Sequence, residues 1–261
     1  MDGKFSYLQK RYAEEEGIVW YEERLKNRPD YPQQLFDTLN NSGIIPKGNK
    51  LDGFVFASIS ANRADMEAEF ASVLDKEVKD EEFIHPPKVV AMDLLGKKEN
   101  EREDGSYDRF VSGIQPKKLP NLKNVEFSRI SADANNLPLT ESGVDVIFDK
   151  LGLIWHSLND ETGHIQFNAD LEVLRKKILE ILEKLSEILK VNGKIVVDAF
   201  EVGVHKYEET GCATSTADCL EQVGVLKSSS LLELGKLGLQ IKFIGEGKDK
   251  LLVFEKIDNK N

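Results

Sequence analysis

The chain has 261 residues, of which 40% are hydrophobic and 31% charged, and it carries a formal net charge of -11 with a pI near 5.0. These are globular values at a length that buries a sizeable core. A surface this acidic repels phosphate backbones and argues against extended nucleic-acid binding, and no apolar run approaches the ~18 residues of a membrane span.

The opening residues, "MDGKFSYLQKRYAEEEG", are too polar for a signal peptide, so the expectation is a soluble, cytoplasmic protein. The cysteines, Cys212 and Cys219, do not form a CxxC pair. They read as free thiols of a reducing compartment, with a disulfide or metal pair as the alternative.

From Tyr7 to Asn40 apolar residues recur at helical spacing, including Tyr12, Ile18, Val19, Tyr21 and Leu25. The prolines of "NRPDYP" end or restart that helix, "QQLFDTLN" resumes it, and "NNSG" stops it. Residues 1–45 therefore read as a helical segment packing on a domain of residues 46–261. "GFVFASIS", from Gly53, predicts a buried strand. The next stretch, with Met66, Phe70, Val73, Leu74 and Val78, predicts a helix ended by "HPP". "KVVAMDL" is a second buried strand, which completes a βαβ unit and implies a parallel pair.

The charged stretch 97–108 reads as a solvated excursion, with a lid as the functional alternative; its acids from Glu99 to Asp104 read as a solvated face. "NVEFSRISAD" predicts a strand, and "GVDVIFDKLGLIW" a near-continuous apolar strand buried on both faces. From Asp170 a long amphipathic helix follows, with "VNG" as its cap and Gly193 free to adopt a left-handed conformation. "KIVVDAFE" predicts a strand, "SSSLLELGKLG" a short helix, and "LQIKFIGEG" with "KLLVFEK" an antiparallel hairpin. The expected architecture is a Rossmann-like α/β fold: a seven-stranded, mostly parallel sheet, helices on both faces, and a C-terminal antiparallel hairpin that supplies a last inserted strand.

Three of these strands end in acids at one expected rim: Asp93, Asp133 and Asp149. A carboxylate at the end of the second strand can accept from both hydroxyls of a ribose, at roughly 1.5–3 kcal/mol per charged hydrogen bond. An acid beside a small residue, as at Asp133–Ala134, can accept from an exocyclic amine while the next backbone N–H meets a ring nitrogen. The bland reading of each acid is a turn or helix cap.

With these residues in view, the chain resembles the class I S-adenosylmethionine-dependent methyltransferases of the small-molecule type. "KVVAMDLLG" resembles that family's second strand with its ribose-binding acid. "ADANNLPLTESGVDVIF" is similar to its "GDAxxLPFxxxSFDVV" segment, "ILEKLSEILKVNGKIVVDAF" to its "ExxRVLKPGGxLVI" segment, and "LLELGKLGLQIKFIGEG" to its "LLxxAGF" passage. "RPDYPQQLFDTL" resembles the "RPxYPxxLxxxL" found near the N-terminus of many members. The likeness runs from about Arg28 to Lys256. It implies S-adenosylmethionine as cofactor, Asp93 on the ribose, Asp133 and Ala134 on adenine, and a structural role for Asp145, which opens the fourth strand.

One passage departs from the family pattern, which has a glycine-rich loop preceded by a strand-ending acid. Here "FASISANRAD" puts Ser58, Ser60 and Asn62 where the glycines belong and Phe56 where the acid belongs. Asn tolerates a left-handed conformation, so a loop can still form. A second register takes "DLLG" from Asp93 as a damaged "DxGxG", with "DRFVSGI" as the next strand.

Trp155 and His156 follow the fourth strand in a passage that in the family lies between cofactor and substrate. Histidine can act as a base near neutral pH; a lone His beside a Trp is otherwise a packed or capping residue. Tyr31 is placed either over the cofactor or as a staple of the N-terminal helices. Asp149 and Lys150 read as a pocket-rim pair or as a surface ion pair. His85, His164 and His205 have no metal spacing. The resulting expectation is a methyltransferase acting on a small-molecule acceptor, by proximity and alignment with at most one base. Two rivals stand beside it. One is an inactive methyltransferase-like scaffold that binds a protein partner. The other is nucleotide-sugar or NAD chemistry, which the absence of a GxGxxG after any strand disfavours.

Overall fold

In the computed structural model the described residues are 30–59, 64–93, 120–131, 137–150, 152–158, 170–199, 215–246 and 250–258. The helix expected over Tyr7 to Leu25, the charged stretch 97–108 and the "DRFVSGI" strand of the second register lie outside them.

The elements follow the expected alternation. Helix α1 (Tyr31–Asn41) starts with Pro32 in its first turn, where a missing N–H costs nothing. After one 3-10 turn (Gly48–Leu51) come β1 (Val55–Ile59), α2 (Asp65–Glu77), β2 (Lys88–Asp93), β3 (Glu126–Ser131) and β4 (Val144–Asp149). Then follow α3 (Leu153–Leu158), α4 (Leu171–Ile188), β5 (Leu189–Asp198), α5 (Thr216–Gln222), α6 (Ser228–Lys236), β6 (Leu239–Ile244) and β7 (Leu251–Lys256).

These strands form one seven-stranded sheet in the order β3-β2-β1-β4-β5-β7-β6. Strands β1 to β5 pair in parallel, and β7 runs antiparallel between β5 and β6. This is the doubly wound Rossmann order with the inserted last strand that the sequence predicts. It also decides between the two registers. Val55–Ile59 is the strand next to β4, at the point where the order reverses, and "KVVAMD" is its outer neighbour.

The sheet is buried on both sides. On one face, Leu35, Phe36 and Leu39 of α1 and Met66, Phe70 and Leu74 of α2 pack on Phe56, Val146 and Phe148. The Phe56 and Phe70 rings stack with centroids 4.4 Å apart, and Phe148 lies 6.0 Å from Phe56. Each fully buried ring is worth about 1.5–3 kcal/mol. On the other face, Ile154 of α3, Ile178 and Leu182 of α4, and Leu220 and Leu234 of α5 and α6 cover Ala57, Ile147, Ile195 and Val197.

Two expectations are corrected. The run "GVDVIFDKLGLIW" is not one strand: β4 stops at Asp149, whose carboxylate accepts the N–H groups of Leu153 (2.9 Å) and Ile154 (2.9 Å) and turns the chain into α3. Gly193 is not a left-handed helix cap either. Helix α4 ends at Ile188 and β5 starts at the next residue, with Asn192 (φ 65°) taking the left-handed position. Gly193 is needed for close approach instead, because a Cβ there would lie 2.8 Å from the Lys190 carbonyl oxygen and 3.1 Å from that of Val144. Helix α5 was not foreseen, since "TADCLEQ" has no apolar period strong enough to announce it.

Asp145 has the structural role the resemblance implies. Its Oδ2 accepts from the Val55 amide (2.8 Å) and from Lys190 Nζ (2.6 Å), and Lys190 Nζ also donates to the Gly53 carbonyl (3.1 Å). The amino ends of β1, β4 and β5 are thereby tied together. Asp75 does the same for β3, accepting from the amides of Lys123, Asn124 and Val125.

The contacts at Gly193 are all with backbone carbonyls, which cannot rotate away. Gly193→Ala is expected to cost about 1–3 kcal/mol, read as a lower urea midpoint with an unchanged m value.

Candidate functional site

Parallel pairing brings the carboxyl ends of β1 to β5 to one edge of the sheet, at Ile59, Asp93, Ser131, Asp149 and Asp198. Ile59 pairs with both Met92 and Asp149, and Asp93 pairs with Ser131. Acids that end β2 and β4 therefore flank the end of β1. The strand order reverses between β1 and β4, which is where open α/β sheets form their ligand crevice.

The expected site residues fall into three groups. Ser60, Asn62, Asp133 and Ala134 lie outside the described residues. Asp93, Trp155 and His156 are placed by backbone alone, Asp93 as the last residue of β2 and the other two on α3; their side chains lie outside the description. Ser58, Asp149 and Tyr31 are described in full.

Ser58 points beneath α2, where its Oγ donates to Glu67 Oε1 at 2.6 Å. Asp149 is fully buried, with both oxygens held by the amides that open α3; it is not the surface group of the ion-pair reading. Tyr31, the first residue of α1, is also buried, and the Lys150 ammonium sits 3.5 Å from its ring centroid. That contact is a cation–π pair. It brings the start of α1 to the residue that follows β4, so Tyr31 belongs to the carboxyl edge. His85 is elsewhere: its amide donates to Asp52 and its carbonyl accepts from Gly53, before β1 and β2 begin. Among the described residues no three of His, Cys, Asp or Glu are grouped to hold a metal. Cys212 and the Cys219 side chain lie outside the description.

Two residues at this edge escaped the sequence reading. Glu67, in the first turn of α2, is 2% exposed, and its Oε2 has no hydrogen-bond partner among the described residues. Burial pushes its carboxyl up to about 7, against the Ser58 hydrogen bond, its own backbone amide and the charge of Lys150, and with repulsion from Asp65. Its signal was there to read: Glu67 precedes Phe70, Ala71 and Leu74 at three-, four- and seven-residue spacing, on the stripe that faces the sheet. Asp198 ends β5 as Asp149 ends β4, and it accepts from Thr216 Oγ1 (2.7 Å) and the Thr216 amide (3.3 Å) at the start of α5. Burial also pushes Asp149 up to about 7, with repulsion from Asp198 adding to it and the amides of Ile154, Leu153 and Gly152 opposing it.

No protein-family model and no curated protein sequence matches the chain. Similar solved structures do exist. A structure from Methanococcus maripaludis described as a putative S-adenosyl-L-methionine-dependent methyltransferase is 13% identical, covering 94% of each chain with a TM-score of 0.43. A structure from Thermotoga maritima described as an S-adenosylmethionine-dependent methyltransferase, possibly a histamine N-methyltransferase, is 13% identical over 94% of this chain and 98% of its own, with a TM-score of 0.43. A third, a methyltransferase from Aquifex aeolicus, is 16% identical over 78% of this chain and 81% of its own, with a TM-score of 0.38. The fold assignment rests on the strand order itself.

The raised carboxyls have a definite sign in stability. A folded pKa above the unfolded one means that the native state holds the proton more tightly, so this contribution is fully present below the unfolded value and is lost as pH rises through the folded value. For Glu67 that window runs from about 4.5 to about 7. Stability is expected to fall across it, and Glu67→Gln, neutral at every pH, is expected to flatten that fall. Urea midpoints of both proteins at pH 5, 6, 7 and 8 check this; parallel pH curves would refute it.

Proposed function

We propose that this chain is an S-adenosylmethionine-dependent methyltransferase acting on a small-molecule acceptor in the cytoplasm. The observation that carries the reading is the acid-lined carboxyl edge of a sheet ordered β3-β2-β1-β4-β5-β7-β6, with Asp93 ending the strand beside the central one. The three solved structures named above are described as methyltransferases of this kind, which agrees with it.

The fit of the cofactor to this edge is supported by Asp93, which ends β2 there, and by Glu67 Oε2, a buried acceptor without a partner among the described residues that a donor group would satisfy. When bound, S-adenosylmethionine supplies a methyl group already activated on a sulfonium, so the protein's task is to hold and align. In this reading Asp93 accepts from the ribose hydroxyls, and Asp133 with the Ala134 amide reads adenine. Ser60 and Asn62 are assigned to the methionine moiety of the cofactor, and Ser58 is bonded to Glu67 of α2. Asp149 acts as a positioning residue: its grip on the α3 amides sets where Trp155 and His156 stand. Trp155 and Tyr31 contribute acceptor-side walls, and His156 is the base for an acceptor that must lose a proton.

A second reading, a scaffold that has lost catalysis, is favoured by one observation: Ser58 and Asp149, two residues expected at the cofactor, use their side chains in internal bonds. Phe56 does not favour it, because its ring lies between the sheet and α2 and away from the carboxyl edge.

Calorimetric titration separates the two. Micromolar binding of S-adenosylmethionine and S-adenosylhomocysteine is expected, weakened at least tenfold by Asp93→Ala and by Asp133→Ala. A folded wild-type protein that binds neither ligand at millimolar concentration would overturn the enzyme reading.

A further inference from the structure

The first turn after β1 carries a charge opposite to that of a dinucleotide cradle. In Rossmann enzymes the helix after the first strand offers its free N–H groups and positive dipole end to a pyrophosphate. Here the first turn of α2 holds Asp65 and Glu67, and Glu67 is folded inward against β1. Its carboxyl interacts with its own backbone amide, one of the donors a phosphate would need. The other oxygen is buried and unpartnered among the described residues, which is costly unless something donates to it.

We propose that Glu67 makes this turn a cation-selecting subsite, in which Oε2 accepts a hydrogen bond from a positively charged ligand group such as the α-ammonium of an amino-acid moiety, and which rejects phosphate-bearing nucleotides. The proposal rests on the methyltransferase reading and deepens it, because it says which end of the ligand lies against α2. The Ser58 hydrogen bond holds the Glu67 carboxyl against β1.

The groups facing Glu67 are Ser58 from β1, Asp65 on its own helix and Lys150 after β4, with Tyr31 of α1 beneath the Lys150 ammonium. Lys150 lowers the Glu67 carboxyl through its charge but is not bonded to Oε2. With the carboxyl near 7, much of Glu67 is protonated at pH 6.5 in the free protein. A bound ammonium requires the carboxylate, so the Glu67 proton passes to the buffer.

The experiment is titration calorimetry at pH 6.5 in buffers of different ionisation enthalpy. The probes are S-adenosylhomocysteine, 5′-methylthioadenosine, which lacks the ammonium, and NAD. Wild type is expected to release a proton with S-adenosylhomocysteine and none with 5′-methylthioadenosine, and to bind NAD at least a hundredfold more weakly. Glu67→Gln, which stays neutral, is expected to lose the proton release and at least tenfold in affinity for S-adenosylhomocysteine while keeping its affinity for 5′-methylthioadenosine. Tight S-adenosylhomocysteine binding with no buffer-dependent heat, equal binding by the variant, or NAD binding of similar strength would each overturn the subsite and leave the methyltransferase reading standing. Binding of neither adenosyl probe would overturn both.

Discussion

Everything at the carboxyl edge depends on the parallel register of β1 between β2 and β4. Side chains alternate between faces along a strand, so a slip of one residue would exchange the two sets. Ser58 would then leave α2 and Glu67, and Ala57 or Ile59 would take its place. The register is held from the opposite edge. Asp145 binds the first amide of β1 and the Lys190 ammonium, and Lys190 returns to the Gly53 carbonyl. As an isolated, partly exposed ion pair this would contribute little. Its value lies in the backbone groups it joins, which fix three strand starts relative to one another.

The acids along the chain divide by how they are satisfied. Asp75 and Asp145 accept backbone amides and hold strands in place, Asp149 and Asp198 accept from the starts of the helices that follow their strands, and Glu67 has one oxygen bonded and one not. A carboxylate at the start of a helix is favoured by the free N–H groups there. That explains why β4 and β5 can end in buried acids. It does not explain Glu67 Oε2, which is buried with no hydrogen-bond partner among the described residues.

The topology was legible because it is written in long patterns: strand runs of apolar residues, the inner stripe of α4 and the closing hairpin. Where expectations failed, a single local interaction decided. The apolar run after Asp149 reads as strand by composition, yet the Asp149 carboxylate collects the Leu153 and Ile154 amides and makes a helix of it. Gly193 reads as a helix stop, yet it is there because three carbonyls crowd its Cβ position. At the site, strand-ending acids were readable as a set, since each closes a short apolar run. Whether such an acid faces a ligand or a helix amide is a matter of side-chain direction, which spacing does not carry. Glu67 was missed for a related reason: an acid in a helix that is rich in acids looks solvated until its place on the apolar stripe is counted.

The place of Phe56 in β1 follows from packing. Phe56, Phe70 and Phe148 form a continuous aromatic layer between β1, β4 and α2, with the first two rings stacked. A carboxylate in the middle of that layer would be desolvated with no donor nearby, at several kcal/mol. The Glu67 carboxyl lies outside that layer, where burial pushes it up to about 7 against the Ser58 hydrogen bond, its own backbone amide and the Lys150 charge. A site built this way keeps its carboxyl close to the point where it changes protonation. Its affinity for a cation is then set by burial as much as by the ligand, so any change that let water reach α2's first turn would weaken the selection before it weakened the fold.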